Sequence, residues 1–175
     1  LNMMLLSLKE KYPHYFRDNI EIASFFGEFP TSLWNGGRFS NGDQCDRRFV
    51  EEVVKSINTR GIPVRYTYTN PLLTEEDLAD AYCNFCMKTA DNGKNEVLVV
   101  SPILEAYIRK NYPGFTINSS TCKEIRGIEG VNEELKKDYG LVVLDYNLNN
   151  QFGELQKITD KSRCELLVNA CCIPE

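Results

Sequence analysis

Residues 96–114 read EVLVVSPILEAYIRKNYPG, and this stretch decides the fold. It opens with a nearly unbroken Val/Leu run, the pattern of a parallel strand buried on both faces. Ser101 and Pro102 follow as a helix cap and a first-turn proline. Leu104, Tyr107 and Ile108 then recur at helical spacing until Pro113 and Gly114 end the helix. At once another apolar segment begins, residues 115–120. A strand, a capped helix and a second strand in about 25 residues make one βα unit of a parallel sheet.

The same grammar extends in both directions. Upstream, residues 20–26 read as the first strand. A Gly/Asn-rich loop follows over 28–42, then a helix near 46–60 with Val50, Val53, Val54 and Ile57 on one face, and a second strand over 62–68 that tolerates Pro63 near its start. Thr74 to Asp77 has the form of a capping box, so a helix is expected from there, with Leu78, Tyr82, Phe85 and Thr89 sharing a face. Downstream, a short helical piece over 123–128 and a helix carrying Val131, Leu135 and Tyr139 lead to a fifth strand over 141–146. Phe152, Leu155 and Ile158 mark the next helix, and residues 164–168 the sixth strand.

Six βα units with short connections predict an α/β domain of parallel strands joined by right-handed crossovers. A partial, TIM-barrel-like succession is preferred, because each strand is followed by its own helix and no Gly-rich dinucleotide loop follows the first. The alternative is an open, doubly wound sheet. The 175 residues suit a single domain over 1–175, whereas a closed (β/α)8 barrel takes about 250. The chain therefore reads as an N-terminal portion of a longer barrel protein; its opening Leu1, in place of Met, points the same way for the other end.

Composition removes several functions. The net charge of −5 and the lack of any Lys/Arg run argue against nucleic acid as a partner. No stretch reaches the roughly 20 apolar residues of a membrane-spanning helix. Seven cysteines, an odd number scattered through an ordinary core composition, point to a reducing cytoplasm rather than a disulfide framework.

In either architecture ligands bind at the carboxyl ends of the strands. Those ends supply Glu28 and Asp145, the two carboxylates placed where a base would sit and thus the catalytic candidates. They also supply Arg38, Asn70, Ser120, Asn147 and Asn169 as candidates to orient a small polar or peptide-like ligand. Asn and Ser after strands equally serve as caps and turn formers. Cys83 and Cys86 have metal or redox spacing, but inside a helix they read as packing. Cys171 and Cys172, on a loop after the last strand, are candidate metal ligands. An iron–sulfur cluster would need about four cysteines.

At residues 164–175 (CELLVNACCIPE) the sequence resembles the segment leading into the cysteine cluster of the collagenase-like peptidase superfamily. That resemblance implies a TIM-barrel-like domain with peptidase-like or hydroxylation-related chemistry, the latter in members that act on quinones or tRNA with an iron–sulfur cluster. It makes Cys171 the first of several cluster ligands, the others following Glu175. Three functions are thus carried forward: an enzyme or former enzyme, a metal- or cluster-binding protein, and a non-catalytic interaction module. A sheet that stops at its sixth strand leaves two edges to cover. The covers expected are the N-terminal segment (through Leu1, Met4, Leu5 and Leu8), a second copy in a homodimer, or a missing C-terminal portion.

Overall fold

The computed structural model describes residues 2–36 and 43–168. Helix α1 (Asn2–Lys11) precedes strand β1 (Phe25–Gly27). Helix α2 (Arg47–Asn58), β2 (Val64–Tyr68), α3 (Ala81–Ala90) and β3 (Glu96–Val99) follow. Then come α4 (Pro102–Asn111), β4 (Thr116–Ser119), α5 (Gly127–Leu135), β5 (Val142–Val143), α6 (Phe152–Leu155) and β6 (Cys164–Glu165). The strands are parallel and lie in chain order β1-β2-β3-β4-β5-β6. Adding every strand on the same side through same-handed crossovers puts the connecting helices, α2 to α6, on one face. The other face is left as the inside of a half-barrel.

The curl is visible in one contact. Arg65 on β2 donates from Nη1 to Glu165 Oε2 on β6 at 2.6 Å, although these strands are four places apart in the sheet. In a flat sheet that separation would be roughly 19 Å at the usual strand spacing. Arg65 also donates from Nε to Glu96 Oε2 on β3 at 2.6 Å, and Asn118 Nδ2 on β4 donates to the same oxygen at 2.7 Å. Asn118 Oδ1 in turn accepts the Leu141 N–H at 2.9 Å. These groups, one or more from each of four strands, form a polar layer inside the curl.

The outer face carries the core, as the period of two along each strand requires. Tyr66, Tyr68, Val97 and Val99 alternate with the inward residues and pack against Val50 and Val54 of α2, Cys83, Cys86 and Met87 of α3, and Leu104 and Ile108 of α4. A second cluster joins Val142 and Leu144 to Ile128, Val131 and Leu135 of α5. Asn58, Asn92 and Asn95 bond one another at the amino ends of the strands, where Asn95 Oδ1 also accepts the Val64 N–H.

Several elements differ in extent from the sequence reading. Strand β1 is three residues long rather than seven. The Phe25 N–H bonds Pro63 O, and Pro63 has no N–H with which to carry the ladder further upstream. The capping-box bond forms, with Asp77 Oδ2 accepting from Thr74 N and Oγ1 at 2.7 and 2.8 Å. No α-helix follows from it, only a 3-10 turn, Glu76–Ala79, and α3 starts anew with Asp80 accepting from Cys83 N. The reason is that Asp77 O, the acceptor a continuing α-helix needs for Ala81, is held by Trp34 Nε1 at 2.8 Å and Asp80 N. Residues 123–128 are not one helical piece: a 3-10 turn, Thr121–Lys123, ends at Glu124, which takes a positive φ, and α5 starts only at Gly127, also at positive φ. In α1 the buried residue is Leu6, with Met4, Leu5 and Leu8 exposed, and Glu10 pairs with Arg60 just past α2.

One buried carboxylate on the helix side makes folding pH-dependent. Glu134 of α5 is almost fully enclosed. Burial alone would push its carboxyl up, but bonds from Lys137, Ser119 Oγ (2.6 Å) and Lys123 Nζ (2.9 Å) outweigh this and hold it at about 2. A carboxyl lowered on folding stabilises above its ordinary range, and the contribution is lost as pH falls from about 4.5 toward 2. Urea unfolding at stepped pH is expected to show this acid-side loss in the wild type and a flatter acid limb in Glu134→Gln. For the inner layer, Arg65→Met leaves Glu96 and Glu165 without their cation. It should lower the unfolding free energy by about 3 kcal/mol, the lower part of the range for half-broken buried ion pairs, because both carboxylates keep some solvent.

Candidate functional site

The alternation that sends Tyr66 and Tyr68 outward turns Arg65, Thr67 and Thr69 inward. Above the Arg65 layer, toward the carboxyl ends of the strands, the half-barrel holds a cavity of about 540 Å³. Strand β1 and its exit contribute Phe26, Gly27 and Glu28. Thr67 comes from β2 and Thr69 from just past its end, Leu98 from β3 and Val143 from β5. The turn after β4 adds Ser120, Thr121 and Cys122, and the β6 side adds Glu165 and Leu167.

One wall is the loop that leaves β1, and it is clamped. Trp34 is fully buried, edge-on to Tyr68 with ring centroids 5.4 Å apart. Asn70 N donates to Trp34 O, and Asn70 Nδ2 to Leu33 O, both at 3.0 Å. Gly36 passes so close to β2 that a Cβ there would lie 2.1 Å from Thr69 O, so only glycine permits this approach. Asn35 and Gly36 therefore line the cavity from a fixed position.

Glu28 is held by Thr67, whose Oγ1 donates to Oε2 at 2.6 Å. The cavity thus has one carboxylate at its upper end oriented by a neutral hydroxyl, and a second, Glu165, tied to Arg65 beneath. Ser120 is nearly fully buried, and its Oγ accepts the Cys122 N–H at 3.1 Å, which fixes the turn that presents the Cys122 thiol.

Of the residues singled out in the sequence, Glu28 and Ser120 come together in this cavity. Asn70 stands next to it, with its side chain committed to the loop clamp and to the Leu72 N–H. Asp145 and Asn147 line a different cavity of about 710 Å³ beside Arg126 and Glu154. There Asp145 Oδ1 accepts the Asn147 N–H at 2.8 Å and caps a 3-10 turn. The two catalytic candidates, Glu28 and Asp145, therefore serve separate cavities. Arg38, Asn169, Cys171 and Cys172 lie outside the described residues.

Thr67, Leu98 and Glu165 were not legible as site residues from strand ends alone, because they sit within strands. The period-two alternation of residues 64–68 was the signal that separates inward Arg65 and Thr67 from outward Tyr66 and Tyr68. Nothing local marked Glu165, whose role follows from the curl that brings β6 opposite β2.

The Cys83–Cys86 pair is fully buried in α3. Burial raises the Cys83 thiol and pushes that of Cys86 up to about 12, so neither supplies thiolate near neutral pH. Among the described residues no group of three or more His, Cys, Asp or Glu side chains is placed to hold a metal ion, and no helix is long and apolar enough to cross a membrane. The fold is a parallel α/β half-barrel with an open cavity at the strands' carboxyl ends. Compared with family models, curated proteins and solved structures, the chain finds no match.

The thiols offer a direct check on this arrangement. Brief iodoacetamide treatment of the native protein, followed by peptide mapping, is expected to label Cys122 in its exposed turn. Cys83 and Cys86 should stay unlabelled until the protein is unfolded.

Proposed function

We propose that this chain is a ligand-binding α/β domain, and that its ligand is a small polar or peptide-like molecule held inside the half-barrel at the carboxyl ends of the strands. The observation that carries the reading is the 540 Å³ cavity. Its volume lies in the range of small-molecule sites. Its walls combine apolar side chains with convergent polar ones: Thr67, Thr69, Ser120 and Glu28. The position is the one in which parallel α/β folds place their ligands. Glu28 is the group in the cavity suited to accept a proton, oriented by Thr67 and backed by a rigid wall. Peptide-bond hydrolysis, the chemistry implied by the family resemblance, would use it as the base that activates water.

Thermal-shift screening and calorimetric titration against sugars, nucleotides and short peptides test this. A positive response is expected for the wild type and for Asn147→Ala, which alters only the separate cavity. It should be lost in Leu98→Trp, which fills this one. A flat response from the wild type across the whole panel, or binding that survives Leu98→Trp in a folded protein, would overturn the proposal.

A further inference from the structure

We infer that the half-barrel cavity is built for a cation, specifically a primary ammonium compound with an apolar arm; this rests on the reading of the cavity as a ligand site. Glu28 and Glu165 line the cavity, and no lysine, arginine or histidine is among its described lining residues. The guanidinium of Arg65 lies beneath, already shared between Glu96 and Glu165. The described inner face thus sets the carboxylates of Glu28, Glu96 and Glu165 against one basic group. Lys123, at the end of the turn that lines the cavity, does not alter this balance. Its Nζ is engaged by Glu134 at 2.9 Å and Tyr139 Oη at 2.8 Å on the helix side.

The Thr67 hydroxyl orients Glu28 but does not neutralise it. An anionic ligand would bring like charge against Glu28 in a partly enclosed space, where such repulsion is poorly screened. A cation there gains a charge-assisted hydrogen bond. An ammonium suits the site better than a guanidinium. With Oε2 already accepting from Thr67, Glu28 is poorly placed for the bidentate fork of a guanidinium. A compact ammonium can use Oε1 together with hydroxyl oxygens of the same cavity, those of Thr69 and Ser120 being among its lining residues. Phe26, Leu98, Val143 and Leu167 line the rest of the cavity. Those side chains favour a hydrocarbon arm over a fully hydroxylated one.

The test uses three probes of one skeleton, hexylamine, hexan-1-ol and hexanoate, in calorimetric titration and in the rate of Cys122 alkylation. Hexylamine is expected to bind and to slow alkylation of Cys122, while the other two do neither. Glu28→Gln should weaken hexylamine roughly 10- to 100-fold, the loss expected for one charge-assisted bond. Glu28→Lys should turn the preference toward hexanoate. Circular dichroism establishes that each variant is folded, and the Cys122 protection pattern decides the matter in the wild type if one is not. Hexan-1-ol or hexanoate matching hexylamine in the wild type would overturn the cationic class while leaving a ligand site. Hexylamine binding that leaves Cys122 unprotected, or that is unchanged in folded Glu28→Gln, would also overturn it. Silence from all three probes and from the sugar, nucleotide and peptide panel would remove both readings together.

Discussion

Arg65 reaches Glu96 on the neighbouring strand and Glu165 on the far side of the sheet, each at 2.6 Å, and the second bond turns a sheet into a container. A guanidinium this deeply buried would be costly alone. Its planar fork allows it to satisfy two carboxylates in different directions at once. Glu96 meets it from the adjacent strand, but Glu165 can do so only if β6 swings round to face β2. The curvature and the ion pairs therefore require each other. Asn118 extends the layer to β4 and, through the Leu141 N–H, to the entrance of β5.

Everything above that layer follows from where it stops. The inner face changes from charged to mixed within one strand repeat, from Arg65 to Thr67 and from Glu96 to Leu98. The space left there is the cavity. Its floor is polar and rigid, and its side is a loop pinned by Trp34, Asn70 and the Gly36–Thr69 approach. Glu28 is thereby presented by fixed surroundings on two sides, the condition under which a single carboxylate can discriminate between ligands. The helix side answers to a different logic. There an apolar core is joined by the Glu134 network, which fastens α5 to β4 without reaching the cavity.

Much of this architecture is local in origin and was legible. The run at 96–100, the Ser101–Pro102 start and the Pro113–Gly114 stop define a βα unit by backbone and periodicity alone, and its repetition implies parallel strands in sequence. Ser101 caps α4 as read, and Pro102 opens it. That Glu28 and Ser120 lie at strand ends was legible because strand ends can be located from such patterns. Element lengths were less legible, since they depend on partners. Strand β1 stops where Pro63 cannot donate, and α3 starts late because Trp34, 43 residues away from Asp77, takes a carbonyl the helix would have used.

By itself, the sequence determined the α/β class, the order of elements and which residues stand near the strand ends, because each rests on interactions among residues within one or two turns or strands. Only the tertiary structure decided which candidates share a site. Glu28 and Asp145 look equivalent along the chain, each a carboxylate at the carboxyl end of a strand, yet they line separate cavities. Glu165 looks like a charge on an edge strand, yet it lies in the cavity with Glu28 and bonded to Arg65, 100 residues earlier. The physical reason is the curl. It is set by contacts between strands far apart in sequence, and no local pattern encodes the distance across a half-barrel.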